Sequence, residues 1–392
     1  MKLLTFSTLF PNHERPGHGI FVETRLRQLV ASGEVESRVV APVPWFPLRH
    51  ARFGSYGRFA RVPAAEVRSG IQVLHPRYLL LPKVGMTPAP LLMARAMKPV
   101  LRKLIDEGFD FDAIDAHYFY PDGVAAMMLG KYFRKPVVIT ARGSDITLLP
   151  GYKWPGRMIR WAADNAAGVI TVCAALREEL LALGADPAKV VSLRNGVDLE
   201  LFRPPLDRAA LRKQLQMDGL TLLSVGNLVP VKGHELTIAA LTELKEATLL
   251  IAGSGPELAR LQALADQLQV AGRVRFLGPL PQATLRDYYG AADVMVLSSS
   301  REGWANVLLE SMACGTPVAA SKVWGTPEVV AHADAGVLMQ ERSAAGIAAA
   351  VRALLAAGPE RAATRRYAEG FSWDDTTAGQ LRLFRDVIGK AG

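Results

Sequence analysis

The sequence predicts an α/β protein of two doubly wound domains, each a parallel sheet with helices on its faces, and three observations carry that prediction. At ~150 residues per domain, a chain of 392 residues is long enough for two. Short apolar runs alternate with amphipathic stretches almost throughout, the pattern of βα units around parallel sheets. The alternation breaks once, at Arg194-Asn-Gly-Val-Asp-Leu-Glu-Leu-Phe-Arg-Pro-Pro-Leu-Asp207, where Asn-Gly is turn chemistry and Pro204-Pro205 stops regular structure. A linker at about 196–206 divides the chain into a first domain, 1–197, and a second, 198–370. The tail, 371–392, has helical spacing from Phe371 to Ile388 and is expected to pack back on the first domain.

In order, the apolar runs of the first half place strands at Lys2–Ser7, Ser37–Ala41, Ile71–Pro76, Ala113–His117, Val137–Thr140, Gly168–Val172 and Val190–Leu193. Helical spacing fills the intervals at Gly19–Ala31, Ala89–Ile105, Asp122–Tyr132 and Ala174–Leu183. The second series of strands is Leu220–Val225, Thr248–Ala252, Val274–Leu277, Val294–Leu297 and Val318–Ala320. Helices follow near Glu235–Leu244, Glu257–Gln269, Pro281–Tyr289 and Ala305–Ala313. Two such domains are expected to face each other across a deep cleft. Ligands of open α/β sheets bind beyond the carboxyl ends of the strands, so the segments just after strands are the ones to read for chemistry.

Half the residues are hydrophobic and 21% are charged, which excludes wholesale disorder. No apolar run reaches the 18 residues of a membrane span, and Met-Lys-Leu-Leu-Thr-Phe-Ser reads as a buried first strand rather than a signal peptide. Cys173 and Cys314 lack C-x-x-C spacing and read as two buried thiols in a reducing cytoplasm. The net charge of +9 is unevenly spread. Met1–Asp198 holds 26 Lys+Arg against 17 Asp+Glu, whereas the remainder holds 20 of each. A basic first half implies an anionic partner, a phosphate-rich substrate or a lipid surface. Nucleic acid ranks behind, because the basic residues are scattered and form no recognition module. The stretch Pro88–Ile105, with Met93, Met97 and Leu101 beside Arg95, Lys98, Arg102 and Lys103, is either a core-facing helix with a solvated basic face or a helix lying on an anionic bilayer.

The richest segment is Ser298-Ser-Ser-Arg-Glu-Gly-Trp-Ala-Asn-Val-Leu-Leu-Glu310. Glu302 falls on the loop after a strand and Glu310 on the helix that follows. A helix starting near Ala305 would present the N–H groups of Asn306, Val307 and Leu308 to an anion. Two carboxylates beside such amides suit a ligand with both hydroxyls and phosphate. In Ser224-Val-Gly-Asn-Leu-Val-Pro-Val-Lys-Gly-His234, Gly226 permits close backbone approach and Lys232 supplies a positive charge to the same place, while His234 reads as a polar group at a helix start. Phe10-Pro-Asn-His-Glu-Arg-Pro-Gly-His-Gly-Ile follows the first strand, and Gly17 and Gly19 would let amides approach a phosphate. Its spacing is not the dinucleotide fingerprint. His117 ends a strand, and Thr140-Ala-Arg-Gly-Ser-Asp145 offers Arg142 with a carboxylate that can also cap the next segment.

Together these motifs resemble family 4 of the retaining glycosyltransferases, enzymes of the GT-B fold with two facing Rossmann-like domains. The resemblance runs in order over nearly the whole chain: Gly17–Gly19, His117, Gly143-Ser-Asp145, Asn195-Gly-Val-Asp198, Gly226…Lys232-Gly, Gly253-Ser-Gly-Pro-Glu257, and Glu302-x7-Glu310 followed by Met-Ala-Cys-Gly-Thr-Pro-Val. It implies that Glu302 and Gly303 meet the hydroxyls of a donor sugar and Glu310 the ribose of its nucleotide. Lys232, Gly226 and the amides around Asn306, Val307 and Leu308 would receive the diphosphate, His117 would sit near the anomeric carbon, and Gly17 and Gly19 would close on the phosphates. Two positions depart from the family pattern. Asn227 stands where members usually have Arg, and Arg142 where they commonly have His; Arg142 is expected to make good part of the missing charge.

The implied activity is transfer of a sugar from a UDP- or GDP-sugar to a saccharide or lipid-linked saccharide of the cell surface, in the cytoplasm or at the inner face of the plasma membrane. No metal or other cofactor is expected, since no Asp/Glu/His spacing argues for one. Two other functions fit the same fold. A nucleotide-sugar epimerase would need acid and base residues beside the sugar, and none can be assigned. A sugar-binding module of the periplasmic kind would call for an export signal.

Overall fold

The computed structural model describes residues 1–80 and 86–391 and divides into two compact units, one formed by Met1–Arg194 with Asp374–Gly392, the other by Asn195–Trp373. In the first unit the elements run β1 (Lys2–Phe6), α1 (Ile20–Ala31), β2 (Glu36–Val40), β3 (Val43–Pro44), α2 (Gly54–Arg61), β4 (Ala65–Arg68), β5 (Ile71–Leu74), β6 (Arg77–Tyr78), α3 (Ala89–Asp106), β7 (Ala113–His117), α4 (Val124–Phe133), β8 (Val137–Ala141), α5 (Ser144–Thr147), α6 (Lys153–Asn165), β9 (Gly168–Thr171), α7 (Ala174–Ala182) and β10 (Val190–Ser192). Eight strands form one sheet in the order β10-β9-β8-β7-β1-β2-β5-β4, parallel except for β4 at the edge, and β3 pairs with β6 separately.

Strand side chains alternate between the two sheet faces, and the burial follows. Leu4, Phe6, Ile114 and Ile139 pack on one face with Met93, Met97 and Leu101 of α3 and Val124 and Leu129 of α4. Leu3, Ala113, Val138 and Ile170 pack on the other with Leu381, Phe384 and Val387. Those last three belong to the C-terminal helix, Asp374–Gly389, which fits closely because Gly168 and Gly379 leave room for Leu383 and Leu193. Met93, Met97, Leu101 and Leu104 of α3 are thus core residues. Arg95, Arg102 and Lys103 stay exposed together with Leu91, so the apolar face that a bilayer-bound helix would need is already buried.

The second unit contains α8 (Arg208–Gln214), β11 (Thr221–Val225), α9 (His234–Ala240), β12 (Thr248–Ala252), α10 (Leu258–Gln267), β13 (Val274–Gly278), α11 (Gln282–Ala291), β14 (Val294–Leu297), α12 (Asn306–Ala313), β15 (Val318–Ser321), α13 (Thr326–Val329), β16 (Gly336–Met339), α14 (Ala344–Ala357) and α15 (Arg361–Glu369); α16 is the C-terminal helix of the first unit. Its six strands are all parallel, in the order β13-β12-β11-β14-β15-β16. Numbered within the unit this is 3-2-1-4-5-6, the doubly wound order whose ligand crevice lies where the winding reverses, between the first and fourth strands. In the first unit the reversal falls between β1 and β7.

Both cysteines are buried and unpaired with each other. Among the described residues no helix is long and apolar enough to cross a membrane, and no group of three or more His, Cys, Asp and Glu side chains is placed to hold a metal ion.

Candidate functional site

In the second unit the reversal point brings together the loop after β11 and the loop after β14. The first carries Gly226, Asn227 and Lys232, the second Glu302, Gly303 and the start of α12. Lys232 and Glu302 are seventy positions apart in sequence, yet Lys232 Nζ donates to Glu302 Oε1 at 2.5 Å. The Glu302 side chain is only 10% exposed, so the ammonium offsets a carboxylate that would otherwise be costly to desolvate. An ammonium has three donors; with one on Glu302, others remain to meet a phosphate.

The backbone beneath this pair is fixed. Ser298 Oγ donates to the Gly233 carbonyl at 2.7 Å and pairs with Thr237 Oγ1 at 3.0 Å, the Ser300 amide donates to the Val231 carbonyl at 2.8 Å, and Arg342 Nε donates to the Ser298 carbonyl at 2.8 Å. Gly253 explains another part of the motif. A Cβ there would lie 1.8 Å from the Gly226 carbonyl oxygen, and its φ is +151°, so only glycine lets this loop lie against the Gly226 loop. His234, read from sequence as a polar group at a helix start, is the first residue of α9 and is buried. Its Nδ1 meets Ser224 Oγ at 3.0 Å, and burial lowers its pKa to about 4.

Glu310 lies one turn into α12. Tyr289 on α11 donates its hydroxyl to Glu310 Oε2 at 3.0 Å, and desolvation pushes the carboxyl pKa up to about 7. The polar partner that a carboxylate in Val-Leu-Leu-Glu-Ser-Met-Ala-Cys must have is therefore a tyrosine from the neighbouring helix. The helix start differs in detail from the sequence expectation. Ala305 caps it, and two of the three amides foreseen as an anion site are engaged, Asn306 N–H with the Trp304 carbonyl (3.1 Å) and Leu308 N–H with the Ala305 carbonyl (3.0 Å). The Val307 amide makes no such bond among the described residues. Asn306 Oδ1 accepts from Asn195 Nδ2 at 3.2 Å.

In the first unit, His117 at the end of β7 is fully buried. Arg142 Nη2 lies 2.7 Å from its Nδ1 and Asp115 Oδ2 lies 3.2 Å from its Nε2. A guanidinium can only donate, so Nδ1 is the lone-pair nitrogen and Nε2 carries the proton to Asp115. Burial, and then Arg142, hold the imidazole pKa below its usual range against the pull of Asp115. The neutral ring has both nitrogens engaged, which makes it a support for Arg142. The Arg142 guanidinium also lies over the Phe21 ring, 5.2 Å from its centroid, and burial lowers its pKa to about 9. Asp145 accepts from the amides of Gly143 (2.7 Å), Phe119 (2.9 Å) and Arg142 (3.1 Å), so it is the clamp of this loop.

Gly19 caps α1 at φ +69°, where a Cβ would strike the Leu9 carbonyl at 2.3 Å; Gly17 has open space around it. Only Gly19 is therefore required by the fold itself. Sequence reasoning missed Asp115 and Tyr289. Asp115 was legible, since Asp-Ala-His on a strand puts both polar side chains on one face. Tyr289 was not, because the pairing of α11 with α12 is a tertiary fact.

Residues 17–201 match the model of Glycosyltransferase Family 4, and residues 207–371 match that of Glycosyl transferases group 1. A D-inositol 3-phosphate glycosyltransferase of Acidothermus cellulolyticus is 32% identical over 304 residues, covering 71% of this chain and 68% of that protein. TuaC of Bacillus subtilis, named for teichuronic acid biosynthesis, is 28% identical over 358 residues, covering 90% and 88%. Among solved structures, Anabaena Alr3699/HepE in complex with UDP and glucose superposes with a TM-score of 0.74 at 19% identity, over 98% of this chain and all of that one. The Lys232, Glu302 and Glu310 segments lie within the group 1 match and the His117 and Arg142 loops within the other, and on these grounds the chain belongs to glycosyltransferase family 4, enzymes of the GT-B fold.

Proposed function

We propose that this glycosyltransferase moves a sugar, with retention at the anomeric carbon, from a nucleoside diphosphate sugar to a saccharide or lipid-linked saccharide destined for the cell surface. The observation that carries the reading is the Lys232–Glu302 pair at the reversal point of the second sheet, one loop from the half-buried carboxyl of Glu310. The solved HepE complex with UDP and glucose favours a uridine nucleotide over a guanosine one, and the likeness to TuaC favours a polysaccharide acceptor. A lipid-linked acceptor would hold the enzyme at the inner face of the plasma membrane.

In the reaction the bond from the anomeric carbon to the β-phosphate oxygen breaks and a bond to an acceptor hydroxyl oxygen forms on the same face. The acceptor proton passes to the departing phosphate. Charge builds on that phosphate, and groups already aimed at it supply the largest catalytic term. Lys232 and the first turn of α12 take this part, Glu302 with Gly303 holds sugar hydroxyls, and Glu310 holds the ribose. His117 keeps Arg142 in place for the donor, so that part of the charge absent at Asn227 is made good. The reading calls for no metal ion. The test is incubation with a panel of UDP- and GDP-sugars and a lipid-phosphate acceptor pool, followed by NMR of the product's anomeric linkage. Release of nucleotide with an axial-to-axial or equatorial-to-equatorial product is expected. Inversion, or conversion of the donor to its epimer without an acceptor, refutes the reading.

A further inference from the structure

A regular strand sends successive side chains to opposite faces, yet two consecutive residues at the end of β7 both meet side chains of the segment directly after β8. His117 Nδ1 lies 2.7 Å from Arg142 Nη2, and the Tyr118 hydroxyl pairs with Ser144 Oγ at 2.5 Å. The backbone explains how. Tyr118 has φ +82° and ψ +121°, a conformation that for a bulky L-residue is a genuine outlier. The other five described non-glycine residues with positive φ lie between +44° and +57°, all of them in turns.

The outlier is pinned from both sides. The Tyr118 amide donates to the Thr140 carbonyl at 2.9 Å, the Tyr118 carbonyl accepts from the Gly123 amide at 2.9 Å, and the Phe119 amide donates to Asp145 Oδ2 at 2.9 Å. The serine is held as firmly, because Asp145 clamps its segment through the Gly143 and Arg142 amides. Strained backbone of this kind persists only where the surrounding structure over-determines it, and it collects at substrate sites. Here it carries a phenol to the same short segment that holds Arg142. Unlike His117, which is sealed in the core, Tyr118 and Ser144 are only half-buried.

In the first sheet the winding reverses between β1 and β7, and the ligand crevice of such a sheet lies beyond the carboxyl ends of the strands there. Tyr118 is the first residue past that end of β7. A pair of hydroxyls offers donor and acceptor capacity without charge, the set that matches a hydroxyl of a neutral sugar. We propose that Tyr118 is a specificity-determining residue whose hydroxyl, steadied by Ser144, hydrogen-bonds one hydroxyl of the acceptor saccharide and so selects which sugar is extended. The inference rests on the transferase reading and deepens it. That reading gives the donor-sugar hydroxyls to Glu302 and Gly303, so the hydroxyl that meets Tyr118 belongs to the other substrate. A tyrosine kept only for packing would serve equally well as phenylalanine, and this sets the test.

The full chain, saturated with UDP, is titrated by calorimetry with the p-nitrophenyl glycosides of glucose, galactose and mannose, and then with the monodeoxy analogues of the tightest binder. In the parent, one deoxy analogue should bind about five- to tenfold more weakly than the full sugar, the loss of a single neutral hydrogen bond. Tyr118→Phe should weaken the full sugar by the same factor and no longer distinguish it from that analogue, while the other analogues keep their parental ratios. Ser144→Ala removes only the partner and should lose part of the same discrimination. The inference is overturned if Tyr118→Phe keeps the parent's discrimination, if it weakens every analogue alike, if it lowers UDP affinity, or if the UDP-loaded parent binds none of the glycosides. Failure of the parent to bind UDP would instead strike at the transferase reading.

Discussion

Replacing Glu310 with glutamine should make the second unit more stable and less able to hold a nucleotide. Desolvation raises this carboxyl from 4.5 to about 7. In the folded protein it therefore keeps its proton up to about pH 7, whereas in the unfolded chain it loses it near pH 4.5. Between those values the native state binds more protons than the unfolded one, so stability falls as pH rises and the full penalty is present above pH 7. At about 1.4 kcal/mol per pH unit the shift is worth ~3 kcal/mol. Glutamine keeps an acceptor for the Tyr289 hydroxyl, which lies 3.0 Å away, without the charge. At ~2–4 °C per kcal/mol for a unit of this size, the variant should melt roughly 6–12 °C higher than the parent at pH 8 and show little difference at pH 4.

Binding should move the other way. A hydroxyl donating to a carboxylate contributes ~1.5–3 kcal/mol, so UDP affinity should drop about ten- to a hundredfold. In the parent it should weaken as pH falls from 8 to 6 and Glu310 takes up its proton. Melting curves across pH and calorimetry with UDP read both halves. A glutamine variant that melts lower at pH 8, or that binds UDP as the parent does, refutes the reasoning.

Lys232→Ala should lower turnover at least a hundredfold, since a preorganised cation at a departing charge contributes ~3–4 kcal/mol; continuous assay of nucleotide release measures it, and a loss under threefold would remove the lysine from the chemistry. If Arg142 makes good the charge absent at Asn227, Arg142→Ala should raise the donor KM and Asn227→Arg should bring it back down, which steady-state kinetics on the two variants and their combination will decide. Gly253→Ala should cost ~3 kcal/mol or more, because the new methyl overlaps the Gly226 carbonyl; urea unfolding compares it with Gly272→Ala, which has open space and should be nearly neutral.

Much of the fold could be read from the chain because buried parallel strands are continuous apolar runs. Ala113–His117, Thr248–Ala252 and Val294–Leu297 end where their sequences predict. Features with weak patterns escaped. Strands β3 and β6 are two residues long, and β4, Ala-Glu-Val-Arg, lies on the sheet edge with no fully buried side chain. Helix α14 is rich in alanine and apolar nearly all round, so periodic contrast gave little signal. At the site, Lys232 and Glu302 were both legible as residues following strands, but their 2.5 Å contact depends on β11 lying beside β14, which neither segment states locally. The engaged nitrogens of His117 were likewise out of reach, because Arg142 comes to it from the next strand in the sheet.

The most direct measurement is a crystal structure of the protein with a bound UDP-sugar. The account predicts diphosphate oxygens within hydrogen-bond distance of Lys232 Nζ and near the first turn of α12, ribose hydroxyls on Glu310, and sugar hydroxyls on Glu302. A nucleotide seated on other strands, with those three side chains clear of it, contradicts the account.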